Sequence, residues 1–162
     1  MAPAASIVVR IQQDDFDLAQ EARALQATSQ TGGDVGALVT FTGICRAGAG
    51  ENAISAMVLE HYPGMAEAEI GRQAEEACAR WPLMGVTIIH RFGRIVPGEQ
   101  IMMVATASAH RASAFAAAEF LMDYLKTHAP FWKREERADG TDWVAARDED
   151  DAALARWSDR AK

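Results

Sequence analysis

Four basic residues lie on either side of a strongly apolar segment in the C-terminal half of the chain: His110, Arg111, Lys126 and Lys133. His110 and Arg111 are expected in the first turn of a helix, where free N–H groups and the macrodipole favour negative charge over cations. A bound anion would resolve that conflict. Burial or a second cation lowers the pKa of a lysine, which would allow proton transfer near neutral pH. The spacing alone favours a plainer interpretation, in which all four are solvated surface groups.

The segment from 108 to 128 predicts the helix that must position these groups. Ser108 is expected to cap it by accepting from a first-turn N–H. Pro130 lacks an amide donor and disfavours helical backbone at the residue before it, so the helix should end near His128 and the chain should then run extended. The turn back predicts that Lys126 and Lys133 converge on one pocket. Apolar residues recur at helical spacing and predict the buried face: Phe115, Ala118, Leu121, Met122 and Leu125.

The other segments predict one α+β domain over residues 1–162, with a mostly antiparallel sheet, helices packed on one side, and a flexible or helical acidic tail from about 148. Strands are expected at 6–12, 37–44, 54–62, 86–91 and 101–108, the second of them central in its sheet. Residues 47–52 are expected to be a hairpin linker, and 136–140 a hairpin turn. Helices are expected within 16–25 and from 63 to about 80, the latter with inward residues Met65, Ala68, Ile70, Ala74 and Ala77.

The composition limits the classes of function. The chain has 162 residues, 49% hydrophobic content and a net charge of -7, which is typical of one globular domain and argues against non-specific binding to nucleic acid or an anionic membrane. No apolar run reaches the roughly 20 residues of a membrane span, and the first residues lack a signal-peptide pattern, so a cytoplasmic protein is expected. A basic site in such a protein must be local.

The cysteines and histidines do not suggest a metal centre. Cys45 and Cys78 are 33 residues apart without a CxxC motif, and the four histidines show no paired spacing. We therefore expect free thiols, no metal ligand and no cofactor. His90 and Arg91 lie in a predicted strand, where a satisfied polar pair is more frequent than a catalytic one.

Longer motifs carry a resemblance to a known family. The segments SAHR and FLMDYLKTHAPFWKRE, at 108–111 and 120–135, are accompanied upstream by VTFTGICR, LEHYPGMAE and RWPLMGVTIIHRFGRIVPGE. Together they resemble the catalytic (large) subunit of molybdopterin synthase over roughly residues 35 to 147. The resemblance implies an α/β hammerhead fold and a homodimer within a heterotetramer. It also implies sulfur transfer in molybdenum cofactor biosynthesis.

In that family, cyclic pyranopterin monophosphate (precursor Z) becomes molybdopterin. Two dithiolene sulfurs are donated by a thiocarboxylate on the C-terminal Gly-Gly of a small ubiquitin-like partner. The resemblance implies that Lys126 and Lys133 are catalytic, without saying which one transfers protons and which one holds the anion. It implies substrate contacts for Ile44, Cys45, Arg46, His110, Arg111, Arg134 and Glu135, and across the dimer for Arg147.

One position departs from the family pattern. Ile44 stands where a lysine is frequent, so a backbone contact is expected there. We also expect Arg46 and Arg111 to line the same basic pocket. Two other functions fit the residues: a dimeric module that binds a phosphorylated ligand without catalysis, and an enzyme that forms a Schiff base through one lysine.

Overall fold

Two four-stranded sheets organise the chain. The computed structural model describes residues 4–28, 33–144 and 148–158. The strands are β1 (Ser6–Gln12), β2 (Ala37–Ile44), β3 (Ala56–His61), β4 (Leu83–Arg91), β5 (Gly93–Ile95), β6 (Gln100–Ser108), β7 (Phe131–Arg137) and β8 (Gly140–Val144). The helices are α1 (Leu18–Gln26), α2 (Met65–Arg80), α3 (Arg111–Thr127) and α4 (Asp148–Ala155), with a short 3-10 turn at Gly50–Asn52.

The strand order defines the two sheets. The first sheet has the order β1-β4-β6-β2 and the second the order β5-β3-β7-β8. Among the described strands only β1 and β4 pair in parallel, so the predicted α+β class with mostly antiparallel pairing is confirmed. Two details of the prediction are wrong. Strand β2 lies at an edge, and the segment 47–52 joins strands of different sheets and therefore closes no hairpin.

Both faces of the first sheet are covered by helices. Along β6, Met102 and Val104 point to a core shared with α2 and α3, whereas Met103 and Ala105 point to a core closed by Leu25 of α1. This alternation follows from the period of two in a strand. The prediction that all helices lie on one side is wrong for α1.

Helix α3 begins later than expected. Ser108 is still in β6, where its hydroxyl donates to the Pro82 carbonyl at 2.9 Å, and the N-cap is His110, without a side-chain cap. Phe115 is 61% exposed, so its predicted place in the core is wrong. The helix ends at Thr127 and β7 starts at Phe131, as Pro130 predicted. The face on the sheet consists largely of small residues that allow a close approach: Ala114, Ala117, Ala118, Phe120, Leu121 and Tyr124.

The predictions for helix α2 are also only partly correct. Ile70, Ala74 and Ala77 are buried as predicted, but Met65 and Ala68 are exposed and Ala66 is buried in their place. The helix starts at Met65, after the Gly64 N-cap, rather than at Pro63. None of the described helices is long and apolar enough to cross a membrane.

The C-terminal segment is helical, as predicted, and it is also anchored. Trp157 is buried, with its ring 5.6 Å from Trp81 and 5.7 Å from Phe120. Its indole N–H donates to Asp123 at 2.6 Å, and its carbonyl accepts from Arg80 at 2.9 Å. Trp157, just after α4, is thereby fixed onto α2 and α3.

We expect Trp157→Ala to destabilise the protein by about 3 to 5 kcal/mol, because it removes a large buried ring and leaves a cavity. Urea unfolding of the purified variant measures this loss. Ser158→Ala changes an exposed neighbour and should stay within about 0.5 kcal/mol of wild type. Equal unfolding midpoints for all three proteins would mean that α4 does not dock in solution.

Candidate active site

The carboxyl end of β2, the start of β6 and the end of α3 meet where the strands of the first sheet end, and this end of the sheet is called the site edge. Cys45 donates its N–H to the Glu99 carbonyl at 2.9 Å and accepts from the Gly98 N–H at 2.8 Å, which fixes the chain just before the exposed Arg46. Helix α3 starts beyond the far end of β6 and runs back along it, so Lys126 arrives at this same edge. Because α3 runs antiparallel to β6, Lys126 at the end of α3 comes close to the residues at the start of β6.

Strand β7 contributes a second set of side chains. Phe131, Lys133 and Glu135 alternate onto one face, and the residues directly opposite them on β3 are His61, Leu59 and Met57. Leu59 and Met57 share a buried cluster with Cys45 and Ile95. Lys133 Nζ lies 3.9 Å from a Glu135 oxygen, and Glu135 also accepts from Arg137 at 2.5 Å. Lys133 therefore lies on the face of the second sheet that adjoins Cys45.

A stacked pair of rings connects the two lysines. His90, at the end of β4, stacks on Phe131 with ring centroids 3.9 Å apart and an interplanar angle of 17°. Lys126 is close enough to His90 to affect its ionisation. Phe131 precedes Lys133 by two residues on the same strand face. The structure thus places Lys126 near His90, and Lys133 on the same strand face as Phe131, the ring that stacks on His90.

The ionisation of His90 reflects this setting. Burial lowers its pKa from 6.5 to about 4, a backbone hydrogen bond with Arg91 opposes the shift, and the charges of Lys126 and His61 lower the pKa further. The ring is neutral at pH 7. Nδ1 lies 2.9 Å from the Arg91 carbonyl, which can only accept, so Nδ1 carries the hydrogen.

The lysines differ in exposure. Lys126 is exposed although it borders the apolar face of α3, and the Lys133 side chain is 38% exposed. Cys45 is nearly fully buried, and burial raises the pKa of its thiol; Glu99 and Glu135 raise it further, whereas Lys133 lowers it. The thiol is therefore a poor nucleophile at neutral pH. Cys45 and Cys78 are both free, as predicted.

Two predicted site residues, Arg134 and Ile44, are placed less favourably. Arg134 alternates onto the outer face of the second sheet, where it pairs with Glu60 at 2.9 Å and lies 5.3 Å over the Trp143 ring, away from Lys133. Ile44 is 51% exposed at the sheet edge, beside a register shift between Gly43 and Ile44. Arg147 lies outside the described residues.

His110 and Arg111 are far from the lysines. They follow Ser108, whereas Ile44, two residues before Arg46, pairs with Gln100 at the other end of β6. The eight residue steps from Gln100 to Ser108 span about 26 Å. Within one chain, the prediction that Arg46 and Arg111 line the same pocket is wrong, because the full length of β6 separates them. Both residues are exposed at their own ends of the sheet.

Sequence reasoning missed the aromatic part of the site. His61, His90 and Phe131 carry no spacing signal, because each comes from a different strand and the strand order is not readable from the sequence. The prediction that His90 and Arg91 are a satisfied pair holds for Arg91, which donates to the carbonyls of Gln13 and Gln100 at 3.1 and 2.8 Å. His90 is satisfied as well, but its ring also faces Phe131.

The lowered pKa of His90 predicts a pH-dependent stability. Between pH 6.5 and about 4 the unfolded chain binds a proton that the native ring does not, so lowering the pH through this range favours unfolding. Stability is fully present above pH 6.5, and about 3 kcal/mol of it is lost by pH 4. Urea unfolding of wild type and His90→Phe at several pH values isolates this residue, because the carboxylates titrate in both proteins. Parallel curves would contradict the prediction.

Comparisons with known proteins identify the family of the chain. The sequence model described as "MoaE protein" matches residues 11–128. A protein named molybdopterin synthase catalytic subunit, from Mesorhizobium japonicum, is 60% identical over 151 residues, covering 92% of each chain. The protein of that name from Escherichia coli K12 is 52% identical over 122 residues, 75% of this chain and 81% of the other.

Solved structures show the same likeness. The structure titled molybdopterin biosynthesis MoaE protein, from Burkholderia ambifaria, is 52% identical with a TM-score of 0.79, and the match covers 94% of this chain and 98% of that one. The family model alone matches well over half of the sequence. On the motifs, the fold and these matches, the chain belongs to the MoaE protein family.

Proposed function

We propose that this chain is the catalytic subunit of a molybdopterin synthase. It converts cyclic pyranopterin monophosphate into molybdopterin by inserting two dithiolene sulfurs, which a thiocarboxylated small ubiquitin-like subunit donates. The observation that carries the proposal is the placement of Lys126 beside His90 and of Lys133 two residues after Phe131, the ring that stacks on His90. The chain supplies no cysteine pair for sulfur relay, so the sulfur comes from the partner.

The charges at this edge suit an anionic substrate. In a protein of net charge -7, Arg46 and Lys126 are both exposed, and neither takes part in an ion pair between described residues. Lys133 is held by Glu135, which fixes its direction. One lysine transfers protons during thiocarboxylate attack and ring opening, and the other holds the phosphate or the tail carboxylate.

We further propose that a second copy of the chain completes the site. His110 and Arg111 present cations at the start of α3, where an anion is favoured, but β6, about 26 Å long, separates them from Arg46 in their own chain. A two-fold dimer brings one end of a subunit to the other end of its partner. Strand β2 has a free edge among the described strands and exposes Phe41, so we assign the contact between the two copies to this strand.

The small subunit needs an apolar surface beside the lysines. Trp132, Tyr62 and Trp143 are all exposed, and the rings of Trp132 and Tyr62 meet edge to face at 4.8 Å. Trp132 adjoins Lys133 in the chain but points to the outer face. We assign the docking area to this aromatic surface and the reaction to the inner face. A cytoplasmic location stays a prediction from the sequence.

Reconstitution tests the function directly. The purified chain, mixed with a thiocarboxylated small subunit and cyclic pyranopterin monophosphate, should yield a dithiolene product detectable by mass spectrometry after alkylation. Binding of the pterin without turnover would indicate the non-catalytic phosphate-binding module. Covalent trapping of the substrate by borohydride would indicate the Schiff-base enzyme. Either outcome would overturn the proposal.

A further inference from the structure

A column of four rings crosses from one sheet to the other behind the lysines. His90 stacks on Phe131 at 3.9 Å, Phe131 lies 5.8 Å from His61, and His61 lies 4.6 Å from Phe92. His90 is the penultimate residue of β4, an inner strand of the first sheet, and Phe131 is the first residue of β7 in the second sheet. The His90–Phe131 stack is therefore a direct contact between the sheet that carries α3 and the strand that carries Lys133.

His90 is held rigidly from its own side. Its Nδ1 is bonded to the Arg91 carbonyl, and the Arg91 guanidinium donates to the carbonyls of Gln13 and Gln100, which lie on either side of β4. Both residues are buried. Because the His90 ring is held in place, it can hold the Phe131 ring that stacks on it.

Phe131 is the first residue of β7 and lies opposite His61 of β3. It follows the Ala129–Pro130 turn, and its N–H donates to the Ala129 carbonyl at 2.8 Å. Beyond it, Lys133 is two residues away on the same face, about 7 Å along the strand. Lys133 is paired with Leu59 of β3 and Val144 of β8, so a shift of β7 at the His90–Phe131 contact would move Lys133 relative to Lys126, which α3 holds independently.

We propose that His90 is a positioning residue for this reaction: its ring, stacked on Phe131, sets the placement of Lys133 relative to Lys126. The inference rests on the function proposed above. His90 touches neither lysine's reacting atom in this role and acts through Phe131. An uncharged ring also suits the site, since Lys126 and His61 both face it and a third positive charge would repel Lys126.

The test compares His90→Ala with His90→Phe in the reconstituted complex. Alanine removes the stacking surface, whereas phenylalanine keeps a ring of similar size. We expect His90→Ala to lower kcat by about tenfold to a hundredfold, because small misplacements of a catalytic group have effects of this order. The KM for the pterin and the Kd for the small subunit should change less than about twofold. His90→Phe should keep kcat within about threefold of wild type.

A matched pair of phenylalanine changes separates positioning from lost stability. Phe131→Leu removes the other half of the stack and should lower kcat as His90→Ala does, with the double variant no worse than either. Phe120→Leu removes a buried ring from the Trp81 and Trp157 cluster and should leave kcat unchanged. All rates are measured under conditions in which circular dichroism shows that each variant is folded. If His90→Ala does not fold, the kcat of Phe131→Leu tests the positioning role of the stack.

Two results would overturn the inference. One is a kcat for Phe131→Leu equal to that of Phe120→Leu; the other is an equal loss in His90→Phe and His90→Ala, which would point to the imidazole itself. Failure of the proposed function looks different, because wild type would then give no dithiolene product at all. If wild type is active and Lys133→Ala is inactive, the proposed function holds, and the His90 and Phe131 variants then test only the role of His90.

Discussion

Replacing Lys133 by alanine should lower dithiolene formation by about a hundredfold to ten-thousandfold while leaving the complex with the small subunit largely intact. The rate falls because a positioned proton-transfer group contributes an effect of this size. The complex survives because Lys133 lies on the inner face of the second sheet, whereas the exposed Trp132 and Tyr62 lie outside. An exposed ion pair is worth only about 0 to 1 kcal/mol in binding. Single-turnover kinetics and calorimetry of the complex measure the two quantities separately.

Arg94→Ala is a suitable control, since it also removes one positive charge from the second sheet, from a side chain paired with Glu136 at 3.1 Å on the outer face. It should keep near-normal turnover. Lys133→Arg preserves the charge but cannot release a proton, so a loss as large as that of the alanine variant would assign proton transfer to Lys133. Near-normal turnover in Lys133→Ala, or a loss due only to weaker partner binding, would reduce Lys133 to a positioning or docking role.

The local elements near the lysines were predictable because their signals are local. Pro130 removes a donor and constrains the residue before it, and this alone predicts both the end of α3 and the start of β7. The hairpin between β7 and β8 follows from its turn residues in the same way. Where a single residue restricts the backbone conformation, the sequence alone predicts where a helix or strand ends.

The faces of the helices were harder to predict than their positions. Phe115 fits the apolar spacing of α3, yet it is exposed, because the helix begins at Arg111 and turns Ala114, Ala117 and Ala118 toward the sheet. Alanine gives little hydrophobic signal but permits close packing. An exposed phenylalanine at this position is an additional candidate for contact with a second subunit.

The arrangement of the site depended on strand order, which sequence spacing does not contain. The stack of His90 on Phe131 requires that β4 and β7 belong to different sheets that meet at this edge. In the same way, the separation of Arg46 from Arg111 follows from the direction of β6. The resemblance indicated both groups as functional, and the topology shows that one chain cannot bring them together.

Mixed dimers should regain activity that neither parent possesses. Lys133→Ala and Arg111→Ala homodimers should each be reduced by about a hundredfold or more, since each of their sites lacks a lysine or an anion-binding group. If Arg111 serves the partner's site, a dimer with one subunit of each kind has one site with both changes and one site with neither. Such a dimer should show about half the wild-type turnover. Two different affinity tags allow the mixed dimer to be purified away from both parents.

The same experiment has a clear contrary outcome. If each site were built from a single chain, every subunit of the mixed dimer would keep its own defect, and turnover would stay as low as in the parents. Mixing Lys126→Ala with Lys133→Ala subunits provides the internal control. These lysines lie at the same edge of one chain, Lys126 near His90 and Lys133 two residues after Phe131, so each site retains one defect and no recovery is expected. Recovery with Arg111→Ala but not with Lys126→Ala would therefore locate the subunit boundary between the start of α3 and its end.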